Sequence, residues 1–481
     1  MNREPFIHLF STSEGKYIYD VNTDQILKVP DEIYTYLEDN KKDKVYDKYA
    51  EEYIQNLKNE GLLKSKRVIK TEHPSTEFLP AYLKNNLTQL ILQVTQNCNL
   101  RCDYCIYSGG YYTRTHSNKK MNFELAKSGI DYLIKHSRNS QKLFLGFYGG
   151  EPLLEFNLIK KCIEYIEQEG EGKKIDYVIT TNATLINDEI LEFFVKNDFK
   201  VTISLDGPKN VHDRNRKFVN SDKGSFSVIL NKLRNISRKY PEYYKKNIYI
   251  NAVFTTEDGF SCLSDFFSNN RYIKDLKINA DIVSESFSKD KVDITKKFIE
   301  EKNFEDFKFY LAKLGRFNKE KVSVLTKNNL ALLNQMREYK TSNSRNQLPD
   351  KWHHGGPCIP GIQRLFLNVE GEFFPCEKVC ETMEFTKLGN IKDGIDLNKA
   401  KNILNIENLT SEKCHNCWIY SYCSLCVQKI SSIDDNLQNE INKECISMRR
   451  NIENIFKDYC VLKECGFDLE LDSLKNINER R

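Results

Sequence analysis

The stretch VTQNCNLRCDYCIYSGG, residues 94–110, sets Cys98, Cys102 and Cys105 in a CxxxCxxC spacing directly after the apolar run LTQLILQV (87–94). Three closely spaced thiolates are soft ligands, enough to hold an iron–sulfur cubane while leaving one iron without a protein ligand. An open iron of that kind is a reaction site. A zinc knuckle and buried free thiols are the competing readings, and the triplet alone does not separate them.

Downstream, apolar β-type runs end in small or polar residues at regular intervals. LFLGFYGGEP (143–152) closes on Gly149, Gly150, Glu151 and Pro152; IDYVITTNAT (175–184) passes through Thr181 and Asn182; KVTISLDGP (200–208) ends in Ser204 and Asp206. The loop HDRNR (212–216) follows, and then YINAVFT, around Asn251, and LKINADIV read as fifth and sixth strands. Between them NFELAKSGIDYLIKH, EFNLIKKCIEYIEQ and NDEILEFFVKN carry apolar residues at helical spacing. Alternating strands and helices predict a parallel sheet with its ligands at the carboxyl edge. Taken singly, GGEP is a plausible tight turn and SLDGP an ordinary strand ending. Their order is what carries weight.

That order resembles the radical S-adenosylmethionine enzymes, down to Asn97 ahead of the first cysteine and Tyr104 before the third. The resemblance implies an α/β fold with a partial (β/α)6 barrel and a [4Fe–4S] cluster on Cys98, Cys102 and Cys105. By the same resemblance Gly149, Gly150, Glu151 and Pro152 hold the methionine amino group of the cofactor. Thr181, Asn182, Ser204, Asp206 and Asn251 then line the remaining strand ends toward its ribose and carboxylate. Arg216 approaches the carboxylate, though a capping and surface ion-pair loop is an equal reading of HDRNR.

A second cysteine-rich region runs from Cys358 through GPCIPGIQRLFLNVEGEFFPCEKVC, with Gly371 five places before Cys376, to SEKCHNCWIYSYCSLC and Cys445. It resembles the SPASM domain, an extension that holds two auxiliary clusters, for three [4Fe–4S] clusters in all. The resemblance assigns Cys414, Cys417, Cys423 and Cys445 to an outer cluster, and Cys358, Cys376 and Cys426 to an inner one. Two residues, not three, separate Cys423 from Cys426. The fourth inner ligand is therefore open, with Cys380 one candidate and a substrate thiolate the other. Paired CxxC motifs are also the signature of a structural zinc ribbon. Cys162 reads as a small buried apolar residue, and so, less firmly, do Cys262, Cys460 and Cys465.

Fifteen cysteines in 481 residues, clustered rather than dispersed, point to metal in a reducing cytoplasm instead of a disulfide scaffold. Neither a signal sequence nor an apolar run of membrane-spanning length is present. With 72 basic and 68 acidic residues, net +4, there is no electrostatic case for nucleic acid. Four segments are expected: 1–75, a barrel over 85–285, a helical bridge over 286–350, and the cysteine-rich domain over 351–481. In the first, strands IHLFS, KYIYDV and QILKV precede helices DEIYTYLED and EEYIQNLKNEGLL. This resembles the winged-helix domains that bind a leader peptide by strand addition.

The whole resembles SPASM-type maturases of Cys-rich peptides. That implies S-adenosylmethionine as cofactor, a ribosomally made precursor peptide with a leader as substrate, and a flavodoxin or ferredoxin as electron donor. Thioether crosslinking is the expected product. Peptide epimerisation, carbon–carbon crosslinking and sulfatase maturation are the alternatives, with a non-catalytic iron–sulfur or zinc scaffold outside enzymology. Glu377, directly after Cys376, stands where sulfatase-maturing enzymes carry aspartate, and is a candidate proton acceptor.

Overall fold

The computed structural model describes residues 4–38, 47–170, 172–283, 288–289, 293–326, 347–354, 358–430 and 437–467. The expected bridging helix NLALLNQMREY and the Gly356–Pro357 pair before Cys358 lie outside the described residues.

Three short strands, β1 (Ile7–Ser11), β2 (Lys16–Asp20) and β3 (Gln25–Val29), form an antiparallel meander, followed by helices α1 (Asp31–Glu38) and α2 (Lys48–Asn59). Asp47 caps α2 by accepting from Tyr49 N and Ala50 N. One face of the meander buries Ile18 and Val29 against Ile33, Ala50 and Ile54 of its own helices. The other face buries Phe10, Tyr17 and Tyr19 against Tyr420 and Phe456 of the carboxyl-terminal region. The unit is thus built into the molecule on both faces.

Six parallel strands follow in chain order: β4 (Gln89–Thr95), β5 (Lys142–Gly149), β6 (Lys174–Thr181), β7 (Lys200–Ser204), β8 (Ile248–Phe254) and β9 (Lys277–Ile282), each paired with the next. Helices α3 (Phe123–Lys135), α4 (Phe156–Glu169) and α5 (Asp188–Lys196) fill the first crossovers. Asn122 and Asn187 start α3 and α5 by capping Leu125 N and Ile190 N. The sheet stays open and mixed. On the outer side of β4 it continues through a parallel strand β10 (Leu365–Leu367) and then antiparallel strands β11 (Glu372–Phe374), β12 (Gly389–Asn390) and β13 (Gly394–Ile395). Residues expected in a separate domain therefore share the barrel's sheet, and Leu365, Phe366, Phe373 and Phe374 sit in the same core as Leu90, Leu145 and Ile203. The physical reason is that β4 would otherwise expose an unpaired apolar edge.

Helix α6 (Lys296–Lys313) belongs to the bridge, and the long helix α7 (Leu437–Glu464) closes the described chain. Cys162 is buried on α4 and Cys460 on α7, as expected. Cys262 and Cys465 are instead exposed. No helix among the described residues is long and apolar enough to cross a membrane.

Candidate active site

The cysteine triplet lies in the loop after β4, at the carboxyl edge of the sheet. Leu100–Cys102 pairs antiparallel with Arg216–Phe218, setting Cys102 opposite Arg216. Two glycines fix the loop against β5. Gly150 N donates to Thr95 O and Glu151 N to Asn97 O, each at 2.9 Å. A Cβ on Gly149, whose φ is +145°, would meet Thr95 O at 2.1 Å, and one on Gly150 would meet Asn97 O at 2.2 Å. The glycines thus admit the cluster loop's own backbone, whereas the sequence suggested only close approach to a ligand.

Each site sulfur faces an N–H donor. Leu100 N points at Cys98 Sγ at 3.3 Å and Tyr107 N at Cys105 Sγ at 3.4 Å, while Asn182 Nδ2 stands 3.8 Å from Cys98 and Arg216 Nη1 3.9 Å from Cys102. Burial pushes the Cys98 and Cys102 thiols up to about 12 and raises Cys105 as well. Buried thiols of that kind become thiolates only when a metal takes the proton's place. Donors on all three sulfurs suit an anionic, iron-bound set, so the residues fit a cluster.

The shelf beside them is held by two buried carboxylates. Glu151 is wholly buried and accepts from Thr181 Oγ1 and Asn182 N, both at 2.7 Å, and from Leu153 N at 3.0 Å. Asn182 donates to Asn99 Oδ1 at 2.8 Å and accepts from the Thr184 hydroxyl at 2.7 Å, and the same hydroxyl accepts from Asn99 Nδ2 at 2.8 Å. Ala183 takes a φ of +60° to complete this turn. Asp206, also wholly buried, accepts from Arg216 Nε (2.7 Å) and Nη2 (3.2 Å), from Val253 N (3.1 Å) and from the Tyr104 hydroxyl. Behind it His212 Nδ1 accepts from Asp206 N at 3.3 Å and Nε2 donates to Ser225 Oγ, which passes on to Arg216 O. Burial lowers His212 to about 4, so it stays neutral.

Asp206, expected to face the cofactor, accepts from four protein donors, and Arg216, expected to approach the cofactor's carboxylate, sets Nη1 3.9 Å from Cys102 Sγ. Ser204 and Asn251 sit side by side in register on β7 and β8 at the same edge. Pro152 is buried at the start of a 3-10 turn.

Arg114, fully buried, spans the gap from the cluster loop to the carboxyl-terminal arm. Its guanidinium donates to Glu377 O (3.1 Å) and Val379 O (3.0 Å) and pairs with Glu381 at 2.9 Å, while Gln93 Nε2 donates to Glu381 at 2.8 Å and to the Tyr107 hydroxyl at 2.9 Å. Tyr148 lies within electrostatic reach of Tyr107, Arg114, Glu377 and Cys105. The Glu377 carboxylate accepts from Arg364 Nη1 at 2.9 and 3.1 Å. Sequence reasoning missed Gln93, Asn99, Tyr107, Arg114 and Glu381, because single polar residues, whether in a strand like Gln93 or in loops, carry no spacing signal.

Among the described residues no three His, Cys, Asp or Glu converge to hold one metal ion. The auxiliary cysteines nevertheless fall into two sets. Cys414, Cys417, Cys423 and Cys445 line one small pocket and bear on one another's charge. Cys376 and Cys426 bear on each other, and Cys358 on Cys426. Cys380 does not face this set: it packs with Tyr111 and Met383, its sulfur 3.1 Å from the Thr382 hydroxyl. Cys380, one of the two candidates for the fourth inner ligand, is thus buried in a separate apolar cluster after the turn that follows Cys376.

Residues 92–258 match the radical SAM superfamily model. The chain is 34% identical over 163 residues to the cysteine-type anaerobic sulfatase-maturating enzyme of Clostridium novyi, covering 33% of this chain and 42% of that protein. It is 25% identical over 396 residues to the radical SAM cyclopropyl synthase TigE of Paramaledivibacter caminithermalis, covering 76% of this chain and 75% of the relative. The structure of native anSMEcpe with bound AdoMet shares the fold, with a TM-score of 0.55 at 22% identity over 76% of this chain and 99% of that one. The chain spans less than half the length of the first curated relatives it matches.

Proposed function

We propose that this chain, which carries a radical SAM domain over residues 92–258, is a peptide maturase that joins a cysteine of a ribosomally made, Cys-rich precursor to a carbon of another residue as a thioether. A [4Fe–4S] cluster on Cys98, Cys102 and Cys105 would supply reductive cleavage of bound S-adenosylmethionine to methionine and a 5′-deoxyadenosyl radical. The rest is positioning by the chain itself.

Gly149, Gly150, Glu151 and Pro152 form the shelf for the methionine end, with Glu151 locking Thr181 and Asn182 at the next strand end. Ser204 and Asn251 offer a hydroxyl and an amide toward the ribose. Asp206 orients Arg216 against the site thiols and so acts as a positioning residue. Closing a carbon–sulfur bond removes one hydrogen atom from carbon, taken by the adenosyl radical, and one proton from sulfur. One electron is left over. Auxiliary clusters on Cys358, Cys376 and Cys426, and on Cys414, Cys417, Cys423 and Cys445, would provide its acceptor, in exchange with a flavodoxin or ferredoxin. The amino-terminal meander would take up the leader, because β3 pairs only with β2 among the described residues and keeps an edge for strand addition.

The observation that carries this reading is the Arg114 seam. It fastens the Cys376–Glu381 segment to the cluster loop, so a peptide at the mouth would meet both cysteine sets. The alignment with the radical SAM cyclopropyl synthase TigE over three quarters of both chains extends the likeness to a radical SAM enzyme well beyond residues 92–258. Sulfatase maturation is the second reading, favoured by the similarity to the Clostridium novyi enzyme. Glu377 in place of aspartate, already engaged by Arg364, weighs against it.

The test is the product. Anaerobically reconstituted protein, given a Cys-rich precursor, should remove a pair of hydrogens and one alkylatable thiol at each step. A product whose cysteines all still react with an alkylating reagent would instead mean epimerisation or carbon–carbon coupling.

A further inference from the structure

The small pocket that gathers Cys414, Cys417, Cys423 and Cys445 is also lined by three nitrogen-bearing side chains, His354, Lys413 and Arg449, of which Lys413 is engaged by Asn442. His354 is only 1% exposed, and among the described residues its ring nitrogens make no hydrogen bond of ordinary geometry, their near neighbours being backbone groups of Leu425 and of His354 itself. Buried polar nitrogens nearly always find one, and an orphan inside a defined cavity points to the group that fills it. Arg449 stands four residues after Cys445 on α7, hence on the same helix face. Its guanidinium is within hydrogen-bonding reach of Cys417, and its charge bears on Cys445 and Cys414 as well. Thr410 approaches Cys414 at 3.4 Å, and Glu407, wholly buried with neither carboxylate oxygen hydrogen-bonded among the described residues, also bears on Cys414. Four thiols already complete a cubane's ligand set, so the imidazole is left as a donor and not a ligand.

We infer that His354 and Arg449 are positioning residues for the outer cluster, donating N–H groups toward its sulfurs and raising its reduction potential. This rests on the reading of the four-cysteine cavity as a cluster site. Gaining an electron makes a thiolate-bound cluster more negative, and a nearby cation or N–H dipole favours that form. Second-layer donors of this type orient and tune a metal site without touching substrate.

The experiment uses the full chain with Cys98→Ala, Cys102→Ala and Cys105→Ala together, which silences the barrel cluster. The outer signal is the one that Cys414→Ala with Cys417→Ala removes, and its midpoint is read by an electron-paramagnetic-resonance redox titration alongside iron content. His354→Leu and Arg449→Leu should each lower the midpoint by about 59 mV, a tenfold shift in a one-electron equilibrium, at unchanged iron. His354→Gln, which keeps an N–H donor, should recover most of it. An unmoved midpoint at full iron would overturn the inference, as would loss of iron in both His354 variants, which would make the residue part of the cage's framework. Absence of any outer signal in the unsubstituted chain would instead refute the cluster reading on which the inference stands.

Discussion

The barrel mouth and the outer cysteine cavity both bury polar side chains, but they treat them differently. Glu151 and Asp206 have their oxygens filled by protein donors, three and four of them respectively. His354 and Glu407, buried about as deeply, have no side-chain hydrogen bond of ordinary geometry among the described residues. A satisfied network holds its shape without an occupant, whereas an unsatisfied one is completed by whatever binds there. The barrel site is therefore preorganised by the chain, and the outer cavity is finished by its contents.

Breaking the preorganised side should have the largest effect. Gly150→Ala places a Cβ against Asn97 O, moving the cluster loop relative to the shelf. A displacement of that order costs about 10²-fold in rate. Release of 5′-deoxyadenosine should fall accordingly, with the iron of the auxiliary sets unchanged. Full activity in this variant would show that the loop is not held by the glycine contact.

The seam between the two regions comes next. Arg114 and Glu381 are 3% and 7% exposed at the side chain. Removing one partner of a buried pair costs about 3–5 kcal/mol. Arg114→Leu should lose that much in anaerobic denaturant unfolding, whereas Arg114→Leu with Glu381→Leu should recover part of it. Equal losses in the single and double variants would mean that the two do not act as a pair.

The unsatisfied side should respond to pH. Burial raises Glu407 to about 7. Between its unfolded value and 7 the folded chain binds more protons than the unfolded one, so stability falls as pH rises through that window. The penalty, roughly 3 kcal/mol, is complete above pH 7. Glu407→Gln should therefore be more stable than the unsubstituted chain at pH 8.5, with the gap narrowing toward pH 5. A gap independent of pH would show that Glu407 is not titrating there.

The same contrast explains what the sequence revealed. The barrel was legible because each motif ends its own strand: β5, β6 and β7 carry GGEP, TTN and SLD at their carboxyl ends. Local spacing and three-dimensional placement coincide there. The outer cage is contributed by two separated stretches, 414–423 and Cys445 on α7, and its grouping followed only from a resemblance. His354 and Arg449 left no trace in spacing at all. The sharing of one sheet between barrel and arm was equally hidden, since a three-residue strand such as Leu365–Leu367 has too little periodicity to announce its neighbour. The burial of the meander's aromatic face against Phe456 depends on chain positions more than 400 residues apart.

The most direct test of the account sets the two regions against each other in one assay, anaerobic 5′-deoxyadenosine formation from S-adenosylmethionine under a strong reductant. Cys102→Ala should form none, whereas Cys414→Ala with Cys417→Ala should retain cleavage, since the barrel site needs only its own three thiols. Cleavage that survives in the first variant, or disappears from the second while its barrel cluster is intact, would contradict the account.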